Sequence, residues 1–284
     1  MQTHNRSTFT TIHTEGALLP VDLLARIAAN DAGLESLSPE SYHLAPGEKI
    51  NEAVNRSWNR LNGLWGAFKT ARGRLGPGDP GTTLTRERWL LPLFQELGFG
   101  RLSTARAEEI EGKSYPISHR WDQAGAHVPI HLVGCGLNLE KRTPGAVGAA
   151  RTSPHSLLQE YLNRSDAAQW GVVSNGLTLR ILRDNASMTR PAWIEANLER
   201  IFTDRLFADF SVLWLLLHES RFGKAGAAPT DCPLERWRER TRAEGVKVPE
   251  PLKVPPQAGL KVPPQAGRMF HPRPEESSTL TGGR

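Results

Sequence analysis

The chain has 284 residues, 38% of them hydrophobic, which is enough for one large domain or two small ones with a sizeable core. Its two cysteines, Cys135 and Cys232, exclude a disulfide framework and indicate a reducing compartment. Residues 1–220 hold 23 basic and 23 acidic side chains, whereas residues 221–284 hold 12 and 7, so the net charge of +5 belongs to the last part. A globally basic DNA-binding surface is therefore excluded for residues 1–220, and DNA contacts would have to come from local patches.

No targeting or membrane segment is visible in the sequence. The first residues, MQTHNRSTFTTIHTEG, lack the apolar run of a signal peptide. The longest near-apolar run, Phe210–Leu217, is far shorter than the roughly 20 residues that a membrane span needs. We therefore expect a cytoplasmic protein with no membrane partner.

Residues 1–80 are predicted to form a helical region. Val21–Asn30 has the pattern of a short amphipathic helix, and Ile50–Leu75 has the apolar stripe of a long one. Ser36–Gly47 is a broken connector between them. The GPGDPG segment at Gly76–Gly81 then ends the region as a loop.

An α/β core is predicted for residues 81–222. It opens with a helix over Arg86–Leu97, which Thr85 caps and Pro92 should kink. It closes with an apolar helix over Leu206–Phe222, for which Asp204 is the candidate cap. The strands predicted between these helices are Leu102–Ile110, Ser114–Trp121, with a Glu111-Gly112-Lys113 turn before it, Val128–Gly134 and Trp193–Leu198.

Ser153–Arg183 carries the most informative local pattern. Ser153 and Pro154 predict the N-cap and first residue of a helix that contains Gln159 and Tyr161. Two β-rich runs follow, separated by Asn175-Gly176, which predicts a hairpin with a type I′ turn. This order of elements predicts a helix packed beside a pair of antiparallel strands.

Residues 223–284 are predicted to be a linker and a Pro-rich disordered tail. Ten of the 21 prolines lie after residue 225, and the octapeptide LKVPPQAG at 252–259 is repeated at 260–267. Such a composition cannot bury a core. Only Leu234–Glu244 has a helical pattern in this part of the chain.

The order helix, strands, Gln-x-Tyr helix, strand ending in Ser-Asn-Gly and return strand resembles the nuclease-like regions of type I and type II restriction enzymes. Together with PAWIEANLERIF and FADFSVLWLLLHESRF, the pattern over residues 15–245 is similar to the amino-terminal region of combined restriction–modification adenine methyltransferases, including those of DISARM-type phage-defence islands. The resemblance implies a restriction-endonuclease-like core of a small mixed sheet flanked by helices. It also implies a chain truncated before its methyltransferase domain, because the Gly-rich S-adenosylmethionine loop and the Asn-Pro-Pro-aromatic motif are missing.

Catalytic chemistry has little support in the sequence. A metal-dependent nuclease needs an acidic residue on one strand and Glu-x-Lys on the next. The strand Val128–Gly134 carries His131 and no carboxylate, Ser118 stands where the first acid is expected, and Glu111-Gly112-Lys113 has the pattern of a turn. An active Mg²⁺-dependent nuclease using Glu111, Lys113, Asp122 or Glu140 is the alternative that remains open.

Metal and phosphate motifs are also weak. His119, His127 and His131 lie close together in the sequence, but no cysteine pair accompanies them as in a structural zinc site. Gly134-x-Gly136 lacks the third glycine of a dinucleotide loop. We therefore predict no metal site, no catalytic residues and no cofactor in this chain, with S-adenosylmethionine belonging to the missing domain.

The function that follows is that of a catalytically inactive domain that helps a restriction or defence methyltransferase engage DNA, or that acts as a scaffold. Five arginines near the predicted loop and hairpin are the candidate phosphate contacts: Arg142, Arg151, Arg164, Arg180 and Arg183. A protein-interaction module that docks other restriction or defence subunits through Ile50–Leu75 and the tail is a second alternative.

Overall fold

Two β-sheets contain the strands of the described residues in this computed structural model. The strands are β1 (Ile12–Glu15), β2 (Ser103–Thr104), β3 (Glu108–Ile110), β4 (Lys113–Tyr115), β5 (His119–Gln123), β6 (Ala126–Leu132), β7 (Trp170–Ser174), β8 (Thr178–Arg183) and β9 (Trp193–Asn197). The large sheet has the order β1-β9-β8-β7-β6-β5-β2, and β3 pairs with β4 in a separate hairpin. All neighbouring strands are antiparallel except β6 and β7, which run parallel and are connected through a helix.

Helices flank the large sheet. They are α1 (Val21–Ala28), α2 (Ile50–Arg72), α3 (Thr82–Thr85), α4 (Leu91–Glu96), α5 (Pro154–Arg164), α6 (Leu198–Thr203), α7 (Phe207–Leu217) and α8 (Pro233–Val246). The structure describes residues 9–16, 18–123, 126–185, 192–223, 228 and 230–246, so residues 247–284 of the predicted tail, with the octapeptide repeat, lie outside the described residues. Among the described helices, none is both long enough and apolar enough to span a lipid bilayer.

The large sheet is buried on both faces. Val172 and Ile181 belong to a large hydrophobic cluster with α1, α2, α4 and α7. Val173 and Leu182, their neighbours along β7 and β8, belong to a second cluster with Leu158 of α5. Successive side chains of a strand point to opposite faces. A strand that is covered on both faces therefore has apolar residues at nearly every position.

Several predictions are confirmed by this architecture. The chain is a mixed α/β protein with a sheet flanked by helices. The α5 helix begins at Pro154, and the Oγ of the Ser153 N-cap accepts a hydrogen bond from Ser156 N at 3.1 Å. The α2 helix ends at Arg72, three residues before the predicted end.

Two predicted strands are interrupted in the structure. The strand predicted over Leu102–Ile110 divides into β2 and β3, and the strand predicted over Ser114–Trp121 divides into β4 and β5. Pro116 follows β4 and has no amide hydrogen for a strand ladder, so the pairing ends there. The predicted turn between β3 and β4 is confirmed: Glu111 and Gly112 have φ values of 51° and 75°, as a two-residue type I′ turn requires.

The helix predicted over Arg86–Leu97 begins earlier and is irregular. It starts as α3 at Thr82, so Thr85 lies inside the helix and the prediction that it caps the helix is wrong. A π-helical turn over Arg86–Leu90 leads into α4, whose second residue is Pro92. Because proline cannot donate a helical hydrogen bond, the backbone changes its pattern on the N-terminal side of Pro92.

The prediction that Asp204 caps the apolar helix is also wrong. Asp204 is the C-cap of α6, a helix that begins directly after β9. The side chain of Asn197 is the N-cap of α6, and its Oδ1 accepts a hydrogen bond from Arg200 N at 2.9 Å. The apolar helix itself is α7, which ends at Leu217, and a separate 3-10 turn follows over Glu219–Arg221.

The turn between β7 and β8 is shifted by one residue from the predicted type I′ turn. Asn175 N donates to Thr178 O at 3.2 Å, so Gly176 and Leu177 are the central residues, and only Gly176 has a positive φ, of 81°. The Asn175 side chain causes this shift, because its Oδ1 accepts hydrogen bonds from Leu177 N at 3.0 Å and Thr178 N at 2.8 Å. Its Nδ2 donates to Leu137 O at 2.8 Å, so the turn is a buried junction.

The close packing of this turn predicts an effect of Gly176→Ala. A Cβ on Gly176 would lie 2.6 Å from Cγ2 of Thr85, and the positive φ adds backbone strain. We expect the free energy of unfolding to fall by about 3 kcal/mol in urea denaturation. Gly145→Ala is the matched control, because Gly145 has φ 78° with open space around it, and we expect a loss of about 1 kcal/mol there. Equal losses in the two variants would contradict the steric contribution.

The first 80 residues share one core with the sheet. The β1 strand pairs with β9, and Thr11 N donates to the buried Oδ2 of Asp209 at 2.8 Å. The α8 helix joins the same unit, since Trp237 Nε1 donates to Glu35 O at 2.9 Å. The chain divides into two compact units, Met1–Lys247 and Val248–Arg284, and the boundaries at 80 and 222 stay predictions.

Candidate nucleic-acid interface

The β6–α5 loop (residues 133–153) is fixed at its base. Gly136 N donates to Pro80 O at 3.0 Å, and Cys135 N donates to Thr85 Oγ1 at 3.0 Å. A Cβ on Gly134 would lie 2.0 Å from Pro80 O, so only glycine permits this approach of the two backbones. The two glycines of the Gly134-x-Gly136 pattern therefore allow the loop backbone to pack closely against the backbone at Pro80.

The tip of the β6–α5 loop is closed by hydrogen bonds. Thr143 N donates to Ala149 O at 2.9 Å, which makes residues 143–149 a small closed loop. The buried His131 donates from Nε2 to Gly148 O at 2.8 Å and ties this loop to β6. Val147 projects from the tip with 70% of its surface exposed. The loop thus presents an apolar side chain on an anchored backbone.

Basic side chains surround the neck of this loop. Lys141, Arg142 and Arg151 are exposed, and within the described part of the chain none of them forms an ion pair. The hydrogen bond between Thr143 and Ala149 brings the neighbouring Arg142 and Arg151 to the same end of the loop. The result is a small positive surface at the neck of the loop that carries Val147.

Arg180 lies beneath this surface and is not available to a ligand. Its guanidinium forms ion pairs with Glu140 and with Glu195, the latter at 2.6 Å, and donates to Nδ1 of His155 at 3.0 Å. It also stacks over Trp193, 4.9 Å from the ring centroid. Burial and the Arg180 charge lower the pKa of His155. Arg180 therefore anchors the loop through Glu140 and removes that acid from the positive surface.

Arg183 and Arg164 are also engaged within the chain. Arg183 donates from Nε and Nη2 to both carboxylate oxygens of the buried Glu235, at 2.7 and 2.8 Å. This bidentate pair attaches α8 to β8. Arg164 is exposed but pairs with Glu111 at 2.7 Å and Glu160 at 3.6 Å. Of the five arginines predicted to contact DNA, the structure brings only Arg142 and Arg151 together at an open surface.

The candidate nuclease residues are engaged in ion pairs within the chain, and Glu111 and Lys113 share one network, since Arg164 and Lys113 both pair with Glu160. Lys113 pairs with Glu160 of α5 at 2.5 Å, and Asp122 contacts His127 at 2.7 Å. Glu111 and Glu140 are held by the arginines described above. Over the residues that the structure describes, no group of three or more His, Cys, Asp or Glu side chains is arranged to hold a metal ion.

Neutral side chains occupy the strand positions where a nuclease would place its acids. Ser118 Oγ donates to Ile130 O at 3.2 Å and accepts from Leu132 N at 2.8 Å, so it connects β5 to β6. His119 and His131 are buried, and burial together with the nearby Arg86 lowers the pKa of each to about 4. Both imidazoles are therefore uncharged at neutral pH and belong to the sheet.

Sequence reasoning did not identify Lys141 or Val147 as parts of this surface. Lys141 lies next to Arg142 in the sequence, so adjacency is a usable signal for the lysine. Val147 lies in the segment Gly145-Ala146-Val147-Gly148, whose two glycines have φ values of 78° and 80°. Glycines this close together predict a tight loop, and that is the local signal for the exposed Val147.

No protein-family model matches the chain, and no curated protein or solved structure matches it.

Proposed function

We propose that this chain is a catalytically silent DNA-contacting module, of the kind found at the amino-terminal end of combined restriction–modification or phage-defence adenine methyltransferases. The antiparallel β5–β6 hairpin, the α5 crossover and the parallel strand β7 support a restriction-endonuclease-like core. The acids that would make such a core a nuclease, Glu111, Asp122 and Glu140, have internal partners, and among the described residues they belong to no group arranged to hold a metal ion. A Mg²⁺-dependent nuclease is therefore the weaker hypothesis.

The observation that carries the proposal is the positive β6–α5 loop with its exposed apolar tip. Arginine and lysine side chains without internal partners bind backbone phosphates and position a protein on DNA. Proteins that bind the minor groove frequently insert apolar side chains between base steps. Lys141, Arg142 and Arg151 would supply the first kind of contact and Val147 the second.

Neutralising the loop should weaken duplex binding and reduce its salt dependence. For the triple variant Lys141→Gln, Arg142→Gln and Arg151→Gln, we expect at least about tenfold weaker binding of a short DNA duplex by fluorescence anisotropy at low salt. Loss of three phosphate contacts should also lower the slope of log K against log salt by about 2 to 3.

A variant that loses the same charge elsewhere separates a local contact from general electrostatics. Arg74, Arg88 and Arg101 are exposed and lie outside the loop, so their triple replacement by glutamine is the control. The control should change the affinity much less than the loop variant. Equal losses, or no binding of the unmodified chain at low salt, would contradict the proposed interface.

A further inference from the structure

A cleft of about 450 Å³ lies apart from the β6–α5 loop. Four segments that are distant in sequence line it: the turn at Tyr42 and His43, one side of α2, the end of α4 and the segment after α7. This volume is in the range of small-molecule sites, which hold 300 to 1,000 Å³. Its lining is rich in charged and polar side chains, so an apolar ligand is excluded.

Gly98 makes the floor of this cleft possible. It has φ 85°, and a Cβ there would lie 2.8 Å from Glu219 Cγ and 3.0 Å from His218 Nε2. Glu219 N donates to Leu97 O at 2.9 Å, which fixes the two segments against each other. The positions of the His218 and Glu219 side chains in the cleft therefore depend on a glycine at 98.

His218 presents a hydrogen-bond donor to the cleft. Its Nδ1 accepts from Ser220 N at 3.3 Å, so the neutral ring carries its hydrogen on Nε2. Burial, with Arg221 and His43 nearby, lowers the pKa of His218 to about 3, so the ring stays neutral. The residue is only 5% exposed, and no acceptor for Nε2 lies within the described part of the chain. A ligand oxygen in the cleft would therefore meet a donor at His218 Nε2 that the described residues leave without an acceptor.

The rim of the cleft carries three cationic or ionisable groups with carboxylate neighbours. His43 is 64% exposed, and its Nδ1 contacts Glu219 at 2.6 Å, which leaves Nε2 directed away from that carboxylate. Arg60 pairs with Glu96 at 3.0 Å, and Arg56, one turn earlier on α2, pairs with Glu48. Since a guanidinium has five N–H donors, each arginine retains donors for a second acceptor.

From this arrangement we infer that the cleft binds a hydroxylated phosphate ester, the class of sugar phosphates and nucleoside monophosphates. The two arginines and the His218 Nε2–H would donate to phosphate oxygens. Glu96 and Glu219 would accept hydrogen bonds from the sugar hydroxyls of the ligand. Inorganic phosphate and other simple anions have no sugar hydroxyls and would lack these contacts. The inference is independent of the DNA contact proposed above.

The test is isothermal titration of the full chain with ribose 5-phosphate, ribose and inorganic phosphate. Ribose 5-phosphate should bind at least about tenfold more tightly than ribose or phosphate, because it engages both kinds of groups. Arg60→Gln should weaken its binding by about tenfold or more, since a charge-assisted contact is lost. Arg74→Gln, which follows the same helix outside the cleft, should leave the affinity unchanged.

Three results would overturn the inference. These are equal affinities for ribose 5-phosphate and inorganic phosphate, unchanged binding in Arg60→Gln, or displacement of ribose 5-phosphate by a short DNA duplex. The last result would assign the cleft to nucleic-acid phosphates. Because Arg60 lies outside the β6–α5 loop, the loop variant should still bind ribose 5-phosphate, and Arg60→Gln should still bind the duplex. Failure of either proposal can thus be recognised separately.

Discussion

Arg221→Met is expected to lower the free energy of unfolding by about 4 kcal/mol, because three hydrogen-bond acceptors lose a shared donor in the interior. Arg221 is 0% exposed. It donates from Nη1 to Ser36 O at 2.5 Å, from Nη2 to Ser41 O, and from Nη2 to Ser220 Oγ at 3.0 Å. Its guanidinium lies 3.8 Å from the ring centroid of Tyr42.

Two opposing effects decide the sign of this prediction. Arg221 forms no ion pair with an acid among the described residues, and burial lowers its pKa, so methionine would relieve the desolvation of a buried charge. Against this, two backbone carbonyls and the cation–π contact with Tyr42 would be lost, each worth roughly 1 to 3 kcal/mol in a buried site. The second effect is larger because the arginine satisfies several groups at once.

Urea denaturation of the full chain measures this effect. Arg221→Lys should destabilise at least as much, because a compact ammonium cannot reach Ser36 O and Ser41 O in a planar fork. Arg88→Met, at an exposed position, is the control and should stay within about 0.5 kcal/mol of the unmodified chain. An Arg221→Met variant within 1 kcal/mol of the unmodified chain would contradict the prediction.

Acidification from pH 7 to pH 5 should lower the free energy of unfolding by about 5 kcal/mol, the largest effect that we expect. The cause is a set of buried histidines that are neutral in the folded state. The pKa is lowered from 6.5 to about 4 for His119 and His131 and to about 3 for His218, in each case chiefly by burial.

The direction follows from where the protons bind. Below pH 6.5 the unfolded chain takes up a proton at each of these histidines, whereas the folded chain does not until the pH approaches 4 or 3. Stability is therefore complete above pH 6.5 and is lost progressively as the pH falls below it. The carboxyls whose pKa is lowered, such as Glu160, contribute a loss only at more acidic pH.

Denaturation at pH 7, 6 and 5 and constant ionic strength checks this prediction. The slope of the unfolding free energy near pH 5 should correspond to the uptake of about three protons on unfolding. NMR titration of the imidazole Cε1–H signals gives an independent control, since the three buried rings should not titrate between pH 7 and 5 while the exposed His43 should be visible as a separate signal. A stability that is flat over this range would show that the buried rings are charged or accessible.

Part of the fold follows from local sequence rules. Ser153 and Pro154 predict the start of α5 correctly, because both the cap and the fixed proline φ act over a few residues. The Asn175-Gly176 pair predicts the hairpin but not its central residues, since the Asn175 side chain accepts hydrogen bonds from Leu177 N and Thr178 N. The same side chain also donates to Leu137 O, 38 residues away in sequence, and a rule based on the two turn residues includes neither contact.

The candidate surface shows the same limit. The sequence does not show which acid an arginine pairs with. Arg180 pairs with Glu140, 40 residues away, and Arg183 pairs with Glu235, 52 residues away. Arg142 and Arg151 remain exposed because they flank a small loop that is closed by its own backbone hydrogen bond, from Thr143 N to Ala149 O. Distinguishing these cases requires knowing which loop and which helix pack against β8, and the sequence pattern does not specify this.

The pairing of β1 with β9 has a consequence for the order of events during protein synthesis. Ile12 pairs with Ala196, and Thr11 bonds to Asp209, which is 198 residues later. At about 5 to 20 residues per second, a ribosome needs roughly 10 to 40 s between making the two strands. The β1 strand therefore waits, without its partner strand, until nearly the whole large sheet has been synthesised.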